Sequence, residues 1–395
     1  MRIAYLSVSD QLGGSEIVLL EILKGVRRLH PEWKIHLVLP GRGPLLERAE
    51  TIGADCVMVP MPPSLARLGE SGAGPVSLVA RLMPVALALP GYVRRVRTVL
   101  DAARPDIVHT NGFKAHVVGA RARRASRLVW HLHEYIGARQ VTRSLLARHQ
   151  AGVTAMIANS KSVAADVTET LQPAVQVHVV PNAVDLATFS PQGPVENLDR
   201  RAAVAPPAGP VVRVGLVATF ARWKGHDVFL EALSAIPAGV PVRGYVIGDA
   251  LYDTAGSQHS LQELRALADR YGLGDRIGFT GFLPAAPSMR ALDIVVHAST
   301  RPEPFGLVIA EAMACGRAVI TSGAGGAGEL VKAGHDALTH TPGDSRSLAE
   351  CIERLAIDPG LRRTLGANAR ASACEHFDSD RLARDVIAVY EAICG

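Results

Sequence analysis

The sequence predicts an α/β protein built from two doubly wound parallel domains. Three observations carry that class. Short runs of β-branched residues alternate with amphipathic stretches along the chain, as strands joined through helices would. The alternation lapses over 182–210, a stretch holding SPQGP and VAPPAGP, and then restarts. A chain of 395 residues also exceeds what one ordinary core organises.

Taken in order, strands are predicted at 3–8, 34–39, 56–60, 106–110, 128–133, 156–158 and 177–180, with helices at 16–29, 93–103 and 162–171. Residues 182–210 read as the interdomain linker. The second half places strands at 211–218, 243–247, 277–280, 294–298 and 318–321, and helices at 228–235, 261–271, 307–314, 347–357 and 361–376. The strongly periodic 381–394 reads as a last helix. The domains implied are 1–190 and 191–377, followed by a helical segment over 378–395.

Composition excludes several classes. Cys56, Cys315, Cys351, Cys374 and Cys394 form no C-x-x-C pair, which suits a reducing cytoplasm and argues against disulfides or zinc. The fourteen histidines show no H-E-x-x-H spacing, so no metal site is expected. The opening MRIAYLSVSDQLGG reads as a strand and glycine turn, not a secretory leader. No run of eighteen apolar residues occurs; the nearest, 82–93, holds two prolines and is flanked by Arg81, Arg94, Arg95 and Arg97. Residues 1–205 carry 24 Lys and Arg against 16 Asp and Glu, and residues 206–395 carry 18 against 21. The basic half, with Arg121, Arg123, Arg124 and Arg127 clustered, suits a solvated helix face or a peripheral contact with an anionic membrane. Nucleic acid is not expected, because the basic residues are not interleaved with aromatics.

Glycine turns follow predicted strands at Gly13 and Gly14, at Gly248, and at Gly325 and Gly326. Each alone reads as a tight turn. Their recurrence at strand carboxyl ends in both halves implies a ligand cleft between facing domains. The densest chemistry lies at 301–317, RPEPFGLVIAEAMACGR. Glu303, between two prolines, belongs to a loop. Glu311 is the only charge in a helix that otherwise reads as buried, and an unpaired carboxylate there is costly. Its partner is ligand hydroxyls, a neighbouring backbone that it caps, or a structural arginine. The helix N-terminus after Phe305 and Gly306 favours an anion such as phosphate. Lys224, at a strand-to-helix turn, and Arg222 can hold a diphosphate, or form a surface pair at a helix start. Alternation puts His131 and His133 on one face of RLVWHLHE. His133, and His109 at the end of DIVHTN, either reach the cleft or sit as hydrogen-bonded core histidines.

With GGSE at 13–16, HLHE at 131–134, WKGHD at 223–227, FTGFL at 279–283 and GGAGEL at 325–330, the Glu-x7-Glu pair of Glu303 and Glu311 makes the chain resemble one family. It resembles the retaining nucleotide-sugar glycosyltransferases of GT-B architecture, of the group 1 or family 4 type, over nearly its whole length. The resemblance implies two Rossmann-like domains facing a central cleft: 1–190 on the acceptor side, 191–377 binding the nucleotide sugar, and 378–395 crossing back onto the first. By resemblance, Lys224 neutralises the diphosphate. Glu303 and the amides of Phe305, Gly306 and Leu307 hold sugar hydroxyls and phosphates, and Glu311 binds the ribose. The turn of Gly13 and Gly14 approaches the phosphates with Glu16 close by, and Gly248, Gly281 and Leu283 lie on the donor side. His133 faces the transferred sugar, and His109, Glu134 and the loops 61–75 and 137–148 belong to the acceptor side. One departure stands out: the family's Gly-Arg pair before the lysine is Ala218 and Thr219 here, and Arg222 is expected to supply the guanidinium.

The reaction implied is retaining, metal-independent transfer of a hexose from a UDP- or GDP-linked sugar to a sugar, lipid-linked or small-molecule acceptor. No cofactor is expected. The setting implied is polysaccharide, glycolipid or glycoconjugate biosynthesis, in the cytoplasm or at the inner membrane face. Alternatives are a sugar-nucleotide epimerase of the same architecture and a non-catalytic nucleotide-sugar-binding protein.

Overall fold

The computed structural model describes residues 1–66, 75–250 and 256–395, with side chains of the helix that begins at Pro75 described from residue 83. The chain forms two compact units, Met1–Ala183 with Ser379–Gly395, and Val184–Asp378. In the first unit, strands β1 (Arg2–Ser7), β2 (Lys34–Leu39), β3 (Asp55–Met58), β4 (Ile107–Asn111), β5 (Arg127–Leu132), β6 (Ala155–Ala158) and β7 (Val177–Val179) form a parallel sheet ordered β3-β2-β1-β4-β5-β6-β7. In the second, β8 (Val212–Val217), β9 (Val242–Ile247), β10 (Ile277–Gly281), β11 (Ile294–His297), β12 (Ala318–Thr321) and β13 (Leu338–Thr339) are ordered β10-β9-β8-β11-β12-β13. Strands β4 and β9 are buried at every residue, as covering a parallel sheet on both faces requires. Each sheet reverses its order once, between β1 and β4 and between β8 and β11. Open sheets of this kind bind ligands beyond the strand carboxyl ends at such points. This is the two-domain Rossmann-like GT-B fold.

The structure corrects three local expectations. The helix expected at 93–103 begins at Pro75 and runs through Pro84 and Pro90 to Ala103. Each proline removes one backbone hydrogen bond. Val85, Tyr92, Val96 and Leu100, spaced on one face, bury against the sheet and hold the helix together. The loop expected at 137–148 is largely the helix Gln140–His149, anchored by buried Leu146. Of the loop expected at 61–75, Pro63–Ala66 is helical and residues 67–74 lie outside the described residues.

The stretch read as a linker is folded onto the second unit. Asp199, in the short helix Leu198–Arg201, accepts from Arg243 at 2.8 Å, Tyr245 at 2.5 Å and Arg213 at 3.1 Å. Arg290 donates to the carbonyls of Thr188, Ser190 and Pro194. Such buried ion pairs and arginine-to-carbonyl bonds leave no hydrophobic periodicity, so the pattern reads as loop.

Helix Ser379–Cys394 belongs to the first unit and packs on helix Gly14–Leu29. Tyr390 donates to the Tyr5 hydroxyl at 3.3 Å and lies 2.7 Å from His109 Nδ1, and Ser379 donates to Glu21 at 2.7 Å. Gly25 allows the close approach, because a Cβ there would overlap that of Ala383. Gly25→Leu should therefore lower the first unit's stability by roughly 1–3 kcal/mol, the usual cost of overpacking. Urea unfolding checks this, with a midpoint like that of the parent protein as the contrary result.

Candidate functional site

In the second unit the turn after β8 brings Lys224 onto Glu303. Residues Arg222–Lys224 form one 3-10 turn, and Gly225, at φ 74°, starts helix His226–Ala235. A side chain at Gly225 would collide with the Ala298 carbonyl, so glycine is required there both for its backbone angle and for space. The Lys224 ammonium donates to both Glu303 oxygens, at 3.0 and 2.7 Å, and sits 4.0 Å from the Trp223 ring centre. Ser299 donates to Glu303 Oε2 at 3.0 Å, and His297 Nε2 lies 3.3 Å from the same oxygen. His297 Nδ1 is 3.1 Å from Thr321 Oγ1. Burial alone would raise the Glu303 pKa, but the Lys224 charge and the bonds from His297 and Lys224 outweigh it and bring it down to about 2. Glu303 is therefore a fixed carboxylate, an acceptor and not a proton donor at neutral pH.

The backbone of Glu303 is fixed as well. Its N–H donates to Ala324 and its carbonyl accepts from Ala327, which ties it to the turn of Gly325 and Gly326. That glycine turn thus supports the carboxylate's loop. Gly306, at φ 95°, then opens helix Leu307–Ala314. Among the described residues no protein oxygen accepts from the N–H groups of Phe305, Gly306, Leu307 or Val308. The Phe305 ring itself is buried, edge-on to Phe377 at 6.0 Å, so only its backbone is available.

Leu307, Val308 and Glu311 form the half-buried face of this helix, whose other residues are buried. Among the described residues the Glu311 carboxyl has no hydrogen-bond partner, and desolvation raises its pKa to about 7. The structural arginine that the sequence left open is not there.

Other expected residues have structural occupations. Arg222 donates to Gly256 O at 3.1 Å and Glu263 at 3.0 Å and lies 3.1 Å from His259 Nδ1, so its guanidinium braces the start of helix Leu261–Arg270. Gly248 packs against the Ala218 carbonyl and bonds Gly281 O at 3.0 Å, and Leu283 packs on the core.

In the first unit, Gly13 precedes helix Gly14–Leu29, whose first turn carries Glu16. Ser15 donates to Glu16 at 2.9 Å; burial raises the carboxyl's pKa, that bond opposes the rise and the Glu134 charge adds to it. Glu134 itself is exposed and paired with Arg139 at 2.7 Å. Asn111 donates through Nδ2 to Ser15 O at 3.3 Å, which turns Oδ1 toward His133 Nε2 at 2.7 Å. Nε2 therefore carries the proton, and His133 Nδ1 is an acceptor with no protein partner among the described residues. The His131 ring lies tilted against it, centre to centre at 4.1 Å. His109 is wholly enclosed against Tyr390 and Tyr5, so it is a core histidine and not an open cleft residue. His116, which the sequence did not single out, is buried against Trp130 at 5.1 Å.

Desolvation lowers the pKa of His133 to about 4 and that of His109 to about 3, and holds His116 and His131 well below the ordinary 6.5. An unfolded chain takes these protons near pH 6.5, whereas the folded unit resists them. The stability they contribute is complete above pH 6.5 and is lost as pH falls toward 4. Hydrogen exchange should show β4 and β5 losing protection on acidification, by about 1 kcal/mol per histidine at pH 5.5. Unchanged protection of β4 and β5 at that pH would contradict this.

Comparison with known proteins adds an independent finding. Residues 208–372 match the family model "Glycosyl transferases group 1", and residues 12–188 match "Glycosyltransferase Family 4". The D-inositol 3-phosphate glycosyltransferase of Xylanimonas cellulosilytica is 34% identical over 54% of this chain and 51% of its own. The lipopolysaccharide core biosynthesis mannosyltransferase LpcC of Rhizobium leguminosarum bv. viciae is 32% identical over 55% and 60%. The chain spans about half the length of the curated relatives it matches. The solved structure of Anabaena Alr3699/HepE with UDP aligns with a TM-score of 0.80 at 29% identity, over 99% of this chain and 100% of that one.

Proposed function

This chain belongs to the group 1 glycosyltransferases, and on that premise we propose that it transfers a sugar from a nucleoside diphosphate to an acceptor hydroxyl with retention at the anomeric carbon. One observation carries the reading. A single unit joins four unclaimed N–H groups and an ammonium, which suit a diphosphate, to two carboxylates that suit hydroxyls. The Lys224 ammonium gives two of its three protons to Glu303 and keeps one for a phosphate oxygen. Glu303, always ionised, accepts from hydroxyls of the transferred sugar. Glu311 binds the ribose hydroxyls. His133 Nδ1 accepts from a sugar hydroxyl.

In the proposed step the bond between the anomeric carbon and the phosphate oxygen breaks while the acceptor oxygen bonds to that carbon on the same face. The acceptor's proton passes to the departing phosphate oxygen, so no protein carboxylate serves as nucleophile. Lys224 and the amide dipoles supply the charge neutralisation, without a divalent cation. UDP is the favoured carrier, because Anabaena Alr3699/HepE was solved with UDP and with UDP-glucose. The name of one relative, the lipopolysaccharide core mannosyltransferase LpcC, supports an acceptor in polysaccharide or glycolipid assembly.

The test is UDP release from UDP-sugars in the presence of candidate acceptors, with the product anomer read by NMR. Turnover should survive EDTA and fall at least a hundredfold in Lys224→Met. Glu311→Gln separates binding from stability. The folded protein keeps a proton that the unfolded chain loses between pH 4.5 and 7, so the native Glu311 becomes more costly as pH rises through that window. Glu311→Gln should stabilise the protein at pH 8 by on the order of 1–3 kcal/mol while weakening UDP binding. A product of inverted anomeric configuration, or turnover unmoved by Lys224→Met, would refute the proposal.

The first unit also carries a surface that we propose touches an anionic membrane. Met83 and Leu87, one helical turn apart, are 66% and 76% exposed. They continue into exposed Arg94 and Arg95, and Arg94 lines a groove of about 410 Å3 with Arg97, Arg121 and Arg124. Exposed apolar side chains next to arginines suit a headgroup layer. Among the described residues no helix is long and apolar enough to cross a bilayer. Vesicles rich in phosphatidylglycerol should sediment the protein, those of phosphatidylcholine should not, and Leu87→Asp with Arg94→Glu should abolish the effect. Equal sedimentation of that variant would exclude this surface.

A further inference from the structure

The second unit has an open cavity of about 470 Å3 at the amino-terminal end of β12, lined by Arg317, Arg362, Arg363 and Arg370 together with Pro191 and Asp293. The Glu303 loop lies beyond the carboxyl ends of the same parallel strands, so the cavity is at the opposite edge of the sheet. Three of the guanidiniums are anchored by one edge on backbone carbonyls. Arg317 donates to Cys315 at 3.0 Å and Leu292 at 3.2 Å, Arg362 to Leu355 at 2.5 Å, and Arg370 to Ala314 at 2.7 Å and Phe189 at 2.9 Å. Arg317 also reaches the Arg290 carbonyl at 3.5 Å and Arg362 that of Ala356 at 3.4 Å; among the described residues no carboxylate pairs with any of the four, and the Nη2 groups of all four have no protein acceptor. The one carboxylate in the wall, Asp293, accepts the Arg213 backbone N–H at 2.8 Å.

Three anchored cations and the exposed Arg363, facing one carboxylate that already holds a backbone N–H, form a largely preorganised anion receptor. Held guanidiniums lose little freedom on binding, and their planar forks match phosphate oxygens. A single carboxylate ligand would leave most of this charge unmatched, whereas a dianion would not. The volume is within the range of small-molecule pockets. From these features we infer that the cavity binds a phosphate monoester of a small polar molecule, at a site separate from the Lys224–Glu303 centre. Gly366 lets helix Pro359–His376 reach the Gly316 carbonyl, which places Arg362, Arg363 and Arg370 along one wall.

The experiment is calorimetric titration of the full chain, at constant ionic strength and with UDP in excess, using inorganic phosphate, glucose 6-phosphate and glucose. The two phosphates should bind at one site and glucose should not. Arg363 is exposed and makes no bond, so Arg363→Glu should fold normally and weaken phosphate at least about tenfold. Arg370→Lys keeps the charge but loses the fork, and should weaken it less. Lys224→Met should leave this binding intact, which keeps the result independent of the donor-site reading. Vesicles containing phosphatidic acid distinguish a lipid headgroup from a soluble ester: retention that depends on Arg363 would assign the phosphate to lipid. Phosphate binding that is lost in Lys224→Met and kept in Arg363→Glu would overturn the inference, as would the absence of any phosphate heat in the parent protein.

Discussion

The contact between Lys224 and Glu303 organises the carboxyl edge of the second unit's sheet. Neither group could be enclosed alone without a large desolvation cost, and removing one partner of such a pair strands the other. Together they fix the turn after β8 against the loop after β11. Ser299, His297 and Thr321 extend the network into the sheet. The Glu303 backbone joins the glycine turn after β12. Three strand ends thus converge on one carboxylate, and the helix carrying Glu311 starts from that support. The pair is charge-balanced within itself and held in place by the fold's own bonds.

The two glutamates of the motif differ because their surroundings differ. Glu303 has an ammonium and further polar contacts, and stays ionised at any ordinary pH. Glu311 has desolvation without compensation, and titrates near neutrality. An eight-residue spacing in sequence therefore gives two chemically distinct groups, one a permanent acceptor and the other a carboxyl that titrates near neutrality.

The sequence made the architecture legible where physics is local. Strand runs such as IAYLS and RGYVI, and the amphipathic helices, follow hydrophobic period alone. Glu303 and Lys224 were legible because prolines and a glycine mark their turns. What stayed hidden depends on distant partners. Asp199 looks like a loop residue until Arg213, Arg243 and Tyr245 close on it. Arg222 looks free until Glu263, forty-one residues later, takes it. The helix through Pro84 and Pro90 contradicts local propensity and exists because its buried face outweighs two lost hydrogen bonds. His109 and His133 look alike in sequence, yet one meets Tyr390 from the far end of the chain and the other does not.

The helix Ser379–Cys394 completes the first unit, although the whole of the second lies between it and the rest of that unit. Domains usually fold in the order they leave the ribosome. Here the order inverts: the contiguous second unit has all its residues first, while Tyr5 and His109 stay uncovered until Tyr390 has been synthesised. During that interval the apolar face of Gly14–Leu29 that Ser379–Cys394 later covers stays open to solvent and to wrong partners.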